Sequence, residues 1–86
     1  MNLQEEFEQA VKESKELTKR PDNETLLRLY SLYKQGTEGD LGPGTPTPAM
    51  FDFVANAKYN AWKMLKGTSA DEAMQQYINM VTELKK

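Results

Sequence analysis

Gly39-Asp40-Leu41-Gly42-Pro43-Gly44-Thr45-Pro46-Thr47-Pro48 is the stretch on which the reading of this fold turns. Its three glycines and three prolines disfavour a regular element, because glycine gives up the most backbone freedom on ordering and proline has no donor to offer. Helical patterns flank it on both sides. The stretch is therefore read as a crossover between two helix pairs rather than a linker between two domains. The 86 residues suit one domain spanning 1–86, with no internal repeat.

Upstream of the crossover, a second helix is predicted from Asp22 or Asn23, either an acceptable N-cap, to about Glu38, with Gly39 able to stop it. Before that, Leu3, Phe7, Ala10, Ser14 and Leu17 recur every three or four residues and predict a first helix from about Asn2 to Leu17. Pro21 bars a simple continuation. Downstream, a third helix is expected from Met50 or Phe51 to Leu65, ending before Gly67. A fourth starts at Ser69, where Glu72 completes the pattern of a capping box, and runs to about Leu84. No strand pattern competes, so the fold class is all-α with four helices.

Composition narrows the chemistry. The chain has no cysteine and no histidine, which removes disulfides, thiolate chemistry, most zinc sites and the usual general base. No acidic run has the spacing of a calcium loop. A net charge of -2, from 11 Lys and Arg against 13 Asp and Glu, argues against extended nucleic-acid binding but allows a local anion site. The start, Met1 to Glu6, lacks the regions of a secretory signal, and no apolar run approaches a membrane span. A cytoplasmic location is the expectation. Ser14, Ser31 and Ser69 have no histidine to activate them, and Asp71 and Glu72 have a local structural role, so no catalytic constellation is named and no enzyme is expected.

The second helix carries more apolar surface than a single core-facing stripe requires. On the second, Leu29 and Leu32 point one way, Leu26, Leu27, Tyr30 and Lys34 another, with Tyr33 between. The surplus asks for a second partner: a ligand, another protein, or more of this domain. Tyr30, Tyr33 and Lys34 can flank one shallow site whose hydroxyls, ring face and ammonium suit a phosphate beside an aromatic base. They can equally be two amphipathic tyrosines and a solvated lysine. On the third helix, Lys58 falls within a stripe of Phe51, Ala55, Trp62 and Leu65. A bare ammonium is costly to bury, so Lys58 must snorkel, pair with a carboxylate, or meet an anion. Trp62 is assigned to packing. On the fourth helix, Tyr77 sits amid Ala73, Val81 and Leu84, while Met64, Met74 and Met80 are expected to fill gaps in the core.

These residues together resemble the acyl-CoA-binding protein family over nearly the whole chain. The resemblance is carried by Phe7, Ala10 and Pro21, by the run Leu29 to Gln35, and by Thr37, Gly39-Asp40 and Pro48. It continues through Asp52-Phe53, Ala57-Lys58, Ala61-Trp62, the run Leu65 to Ser69, Ala73 and Tyr77. It implies an up-down-down-up four-helix bundle with a shallow bowl that reversibly binds long-chain acyl-CoA as a ligand, with no cofactor. By position, Tyr30, Lys34 and Lys58 match residues that hold the 3′-phosphate and nearby nucleotide groups. Tyr33 and Tyr77 match contacts around the adenine, Lys15 and Arg20 match auxiliary cations, and Val11, Leu26 and Leu27 match the apolar surface along the ligand.

Departures from the family pattern include Tyr59, where tryptophan is frequent, and Val54 and Asn56, where basic residues are common. The function implied is binding, buffering and intracellular transport of medium- to long-chain acyl-CoA by a monomer. Transient contact with enzymes that make or use the ester, or with membranes, follows from that role. A helical protein-interaction module using the wide apolar face is the alternative.

Overall fold

Each helix begins on a side chain that accepts a hydrogen bond from the backbone it caps. In a computed structural model describing residues 2–86, Asn2 caps α1 (Leu3–Ser14) through the Glu5 N–H, and Asp22 caps α2 (Asn23–Glu38) through that of Thr25. Asp52 caps α3 (Phe53–Lys63) through the Ala55 N–H, and Ser69 caps α4 (Ala70–Leu84) through that of Glu72. Such caps satisfy otherwise orphaned donors and each stabilise by about 0.5–2 kcal/mol. Hydrogen bonding from Thr25, through its side chain first and its backbone N–H second, holds the Asp22 carboxyl below its ordinary pKa. The Gly39 φ of 79° ends α2 in a conformation that glycine adopts at little cost.

The bounds of α2 and α4 follow the sequence pattern, while α1 and α3 are shorter than expected. Helix α1 stops at Ser14, and Lys15 is its C-cap. Ser14 turns its hydroxyl back onto the Val11 carbonyl at 2.6 Å, and Leu17 lies in the connection. Helix α3 begins at Phe53, not Met50 or Phe51, because Asp52 serves as cap. The Asn56 amide fixes the entry by donating to the Ala49 and Asp52 carbonyls, both at 2.8 Å. Phe51 thus falls outside the helix and is 83% exposed, so it drops out of the predicted stripe. Met64, 85% exposed, fills no gap in the core. At its far end α3 gives way to turns closed by Leu65 and Lys66, before Gly67 at φ 93°.

Helix α4 packs against α1 and α2, and α3 packs against α2 alone among the helices. The core follows this order. Phe7 and Ala10 from α1, Leu29 and Leu32 from α2, and Ala73, Met74, Tyr77 and Val81 from α4 form one buried cluster. Burial of such side chains supplies most of the driving force, at about 1.5–3 kcal/mol for each large one. Helix α3 gives this cluster nothing. It is an outrigger with the up-down-down-up arrangement of the four helices completed around it.

Polar bonds tie the outrigger down. The buried Trp62 donates its indole N–H to the Gly39 carbonyl at 2.8 Å. Gln35, fully buried on α2, donates from its amide to Asp40 Oδ1 and to the Thr68 carbonyl, each at 2.7 Å. Asp40 Oδ1 also accepts from the Gly67 N–H at 3.0 Å, and that bond, with Gln35, lowers the Asp40 pKa. The C-terminal end of α3 and the turn that follows it are therefore pinned to the C-terminal end of α2.

Candidate functional site

Because α3 stands on α2 without reaching the main core, the angle between them stays open. A hollow of about 650 Å³ occupies it, lined by Leu26, Leu27 and Tyr30 of α2 and by Phe53, Val54, Ala57 and Lys58 of α3. Arg20 and Asn23 close one end. On the other side of α2, a second hollow of about 340 Å³ is lined by Val11, Ser14, Lys15, Pro21, Leu29, Tyr33 and Tyr77. Leu26 and Tyr30 line both. The two hollows are thus neighbours along one ridge of α2.

The sequence had to leave the state of Lys58 open. In the structure it is exposed, with Nζ 5.1 Å from the centre of the Tyr30 ring. An ammonium held over a ring face remains available to an anion. Among the described residues it makes no ion pair. Lys34, one turn beyond Tyr30, lines neither hollow. Its Nζ donates to Glu38 at 2.6 Å and lies 5.5 Å from the Trp62 ring centre. The Glu38 bond raises the Lys34 pKa.

The tyrosines differ in what they can offer. Tyr77 is 4% exposed, and its hydroxyl donates to Ser14 Oγ at 3.0 Å. Burial raises its pKa despite that bond. Tyr77 and its partner Ser14 both border the second hollow. Tyr33 is half-exposed and completes an aromatic group with Phe7 and Tyr77. Phe7 lies 6.0 Å from Tyr33, stacked, and 5.2 Å from Tyr77, edge-on. Phe7 in the core thereby fixes the exposed ring of Tyr33 and the buried ring of Tyr77.

The structure therefore gathers Arg20, Leu26, Leu27, Tyr30 and Lys58 in one hollow and Val11, Lys15, Tyr33 and Tyr77 in the other. Val11 is separated from Leu27, with which sequence position had grouped it. Phe53, Val54, Ala57 and Asn23 were missed as lining residues, as was Glu38 as the partner of Lys34. Glu38 lies four residues from Lys34 and was legible by spacing. The apolar pair Phe53-Val54 at a helix start carried a weaker signal. Chemically, the arrangement offers apolar walls with cations at their edge beside an aromatic surface, which suits an amphiphile with an anionic, aromatic head.

The family model described as "Acyl CoA binding protein" matches residues 4–81. The chain is 47% identical over 78 residues to the acyl-CoA-binding protein of Dictyostelium discoideum, covering 91% of this chain and 90% of that one. It is 48% identical over 82 residues to a rat protein named enoyl-CoA delta isomerase 2. That match covers 94% of this chain but 20% of the isomerase, so it concerns a small part of a longer protein. Among solved structures, acyl-CoA-binding protein 2 of Oryza sativa superposes with a TM-score of 0.88 at 42% identity, covering 96% of this chain and 90% of that one.

Proposed function

The chain belongs to the acyl-CoA-binding protein family, and from that premise we propose that it binds medium- to long-chain acyl-CoA esters reversibly, buffering and carrying them as a monomer in the cytoplasm. One observation carries the reading: an apolar hollow edged by Arg20 and Lys58 shares Leu26 and Tyr30 with a second hollow bearing Tyr33, Tyr77 and Lys15. A molecule with an apolar tail and an anionic aromatic head can engage both at once.

In this reading Tyr30, Lys34 and Lys58 hold the 3′-phosphate and its surroundings. Lys58 is already poised over Tyr30, and Lys34 must leave Glu38. Tyr33 presents its ring to the adenine, with the Tyr77 ring beneath it at 6.5 Å between centroids. Lys15 and Arg20 add positive charge on either side. Leu26 and Leu27 cover the tail, while Val11 contributes to the wall on the tyrosine side. The tail adds affinity at about 0.8 kcal/mol per buried methylene, less where burial is partial. The work is stoichiometric binding, which keeps the amphiphile dissolved and shields its thioester.

Calorimetry with free CoA, octanoyl-CoA and palmitoyl-CoA tests this. Lys34→Ala and Lys58→Ala should each weaken CoA-ester binding by about 10- to 100-fold, the worth of a charge-assisted bond, with helicity preserved. Absence of palmitoyl-CoA binding to the unsubstituted protein near neutral pH would sink the proposal.

A further inference from the structure

The crossover between α2 and α3 carries two threonine-proline steps, Thr45-Pro46 and Thr47-Pro48. Neither the buried cluster nor either hollow uses them. The segment is tied down at its two ends. At one, the Gly39 carbonyl accepts from Trp62, and Asp40 Oδ1 accepts from Gln35 and the Gly67 N–H. At the other, the Ala49 carbonyl accepts from the Asp52 N–H at 3.0 Å and from the Asn56 amide. Between these anchors, the one backbone bond among the described residues runs from the Thr45 N–H to the Gly42 carbonyl, at 3.1 Å. It closes a turn around Pro43 and Gly44 and leaves Thr45 half-buried. Thr47 is exposed, in a stretch over 46–49 that has no regular structure, and its N–H makes no backbone bond among the described residues. Pro46 fixes its own φ, and Pro48 confines Thr47 to extended backbone. Pro46-Thr47-Pro48 thus offers one hydroxyl on an extended strand that has few conformations to give up on binding.

We propose that Thr47 is a phosphate-acceptor site for a proline-directed serine/threonine protein kinase. Such an enzyme must draw its substrate into a cleft as an extended strand, and here no backbone bond has to break first. The proline that follows brings no N–H in need of an acceptor. In the transfer, Thr47 Oγ1 forms a bond to the γ-phosphorus of ATP while the bond from that phosphorus to the β,γ-bridging oxygen breaks. ADP leaves, and the hydroxyl proton passes to the catalytic aspartate of the kinase. The phosphate takes the net charge from -2 to about -4 near neutral pH. The anchors at Asp40 and Ala49 lie outside the acceptor strand, so the four helices persist after modification. Sequence alone does not choose between the two threonines, but the turn that holds Thr45 does. That turn also folds Pro43-Gly44-Thr45-Pro46 back on itself, which spoils it as a polyproline ligand for a peptide-binding domain.

The test treats the full chain with ATP and a mitogen-activated protein kinase. Mass spectrometry follows the uptake of phosphate and its position, and circular dichroism follows helicity. Phosphate should enter at Thr47 first, with helicity unchanged. Thr45→Val should accept it as fast as the unsubstituted chain, and Thr47→Ser should still accept it. Thr47→Val and Pro48→Ala should each lose most of the uptake while keeping full helicity. No uptake by the unsubstituted chain overturns the proposal. Entry at Thr45 ahead of Thr47 overturns it too, since the turn then gives Thr45 no protection. Full uptake by Pro48→Ala shows that the proline is not what the kinase reads, and rejects the assignment. Loss of helicity on modification does the same, because the strand would then be part of what holds the bundle together. None of these outcomes depends on what the hollows bind.

Discussion

Lys34 and Glu38 share the last turns of α2, and the placement of Glu38 works against the helix. A carboxylate at a helix C-terminus faces the negative end of the macrodipole, and lysine followed four residues later by glutamate is the weaker order for such a pair. Yet Glu38 holds the Lys34 ammonium at 2.6 Å. A phosphate that uses Lys34 must displace this carboxylate and then tolerate its charge nearby. Exposed pairs of this kind are worth at most about 1 kcal/mol. Glu38→Gln should accordingly tighten CoA-ester binding by about two- to fivefold at low ionic strength, with the gain shrinking as salt is added. Titration at two salt concentrations decides it. Equal or weaker binding by the variant would show that Lys34 is not the phosphate's partner or that Glu38 does not compete for it.

At the scale of the elements, α2 and α4 approach closely where α2 has a glycine. A Cβ built on Gly36 would lie 3.2 Å from Met74 Cγ and 3.6 Å from Phe7 Cζ. Alanine there gains about 1 kcal/mol of helix propensity and asks Met74 to yield by a few tenths of an ångström, which an unbranched thioether does readily. Gly36→Ala should raise stability by about 0.5–1 kcal/mol in urea unfolding. Gly36→Val, with branches thrust at Met74 and Phe7, should lower it by about 1–3 kcal/mol. Equal effects from the two would mean that this crossing is looser than the distances imply.

The elements also show where sequence reading succeeds and stops. Helix α2 was legible to its ends because Asp22 and Gly39 mark them with side-chain and backbone chemistry. The start of α3 was not. Met50, Phe51, Phe53 and Val54 read as one apolar helical run, and the Asp52 that caps the helix sits inside it. Tyr30 and Lys58 were legible as candidate site residues, the first by spacing and the second by its misfit with a stripe. That they meet, and that Ser14 serves Tyr77 from 63 positions away in the chain, depends on packing between helices that no local pattern encodes.

The whole molecule is flat, with extents of 38 × 27 × 15 Å, because α3 extends the α1–α2–α4 core sideways instead of thickening it. An element held by one helix, an indole bond and the Gln35–Asp40 junction should open more readily than the core. Hydrogen exchange should therefore find the α3 amides less protected than those of α2 and α4. A CoA ester present at 100 times its Kd adds about 2.7 kcal/mol to the bound state. It should slow α3 exchange by about 100-fold wherever opening requires ligand release. Protection of α3 equal to that of α4 in the free protein would refute this division.

Trp62, the single tryptophan of the chain, is buried at the foot of the outrigger with the Lys34 ammonium 5.5 Å from its ring. The indole is thereby a resident optical probe, tied to the crossover through Gly39 and adjoining the ammonium proposed to meet the phosphate. Departure of that charge toward a phosphate changes the electric field across the ring, so occupancy can be followed from the emission of the protein itself, without a label.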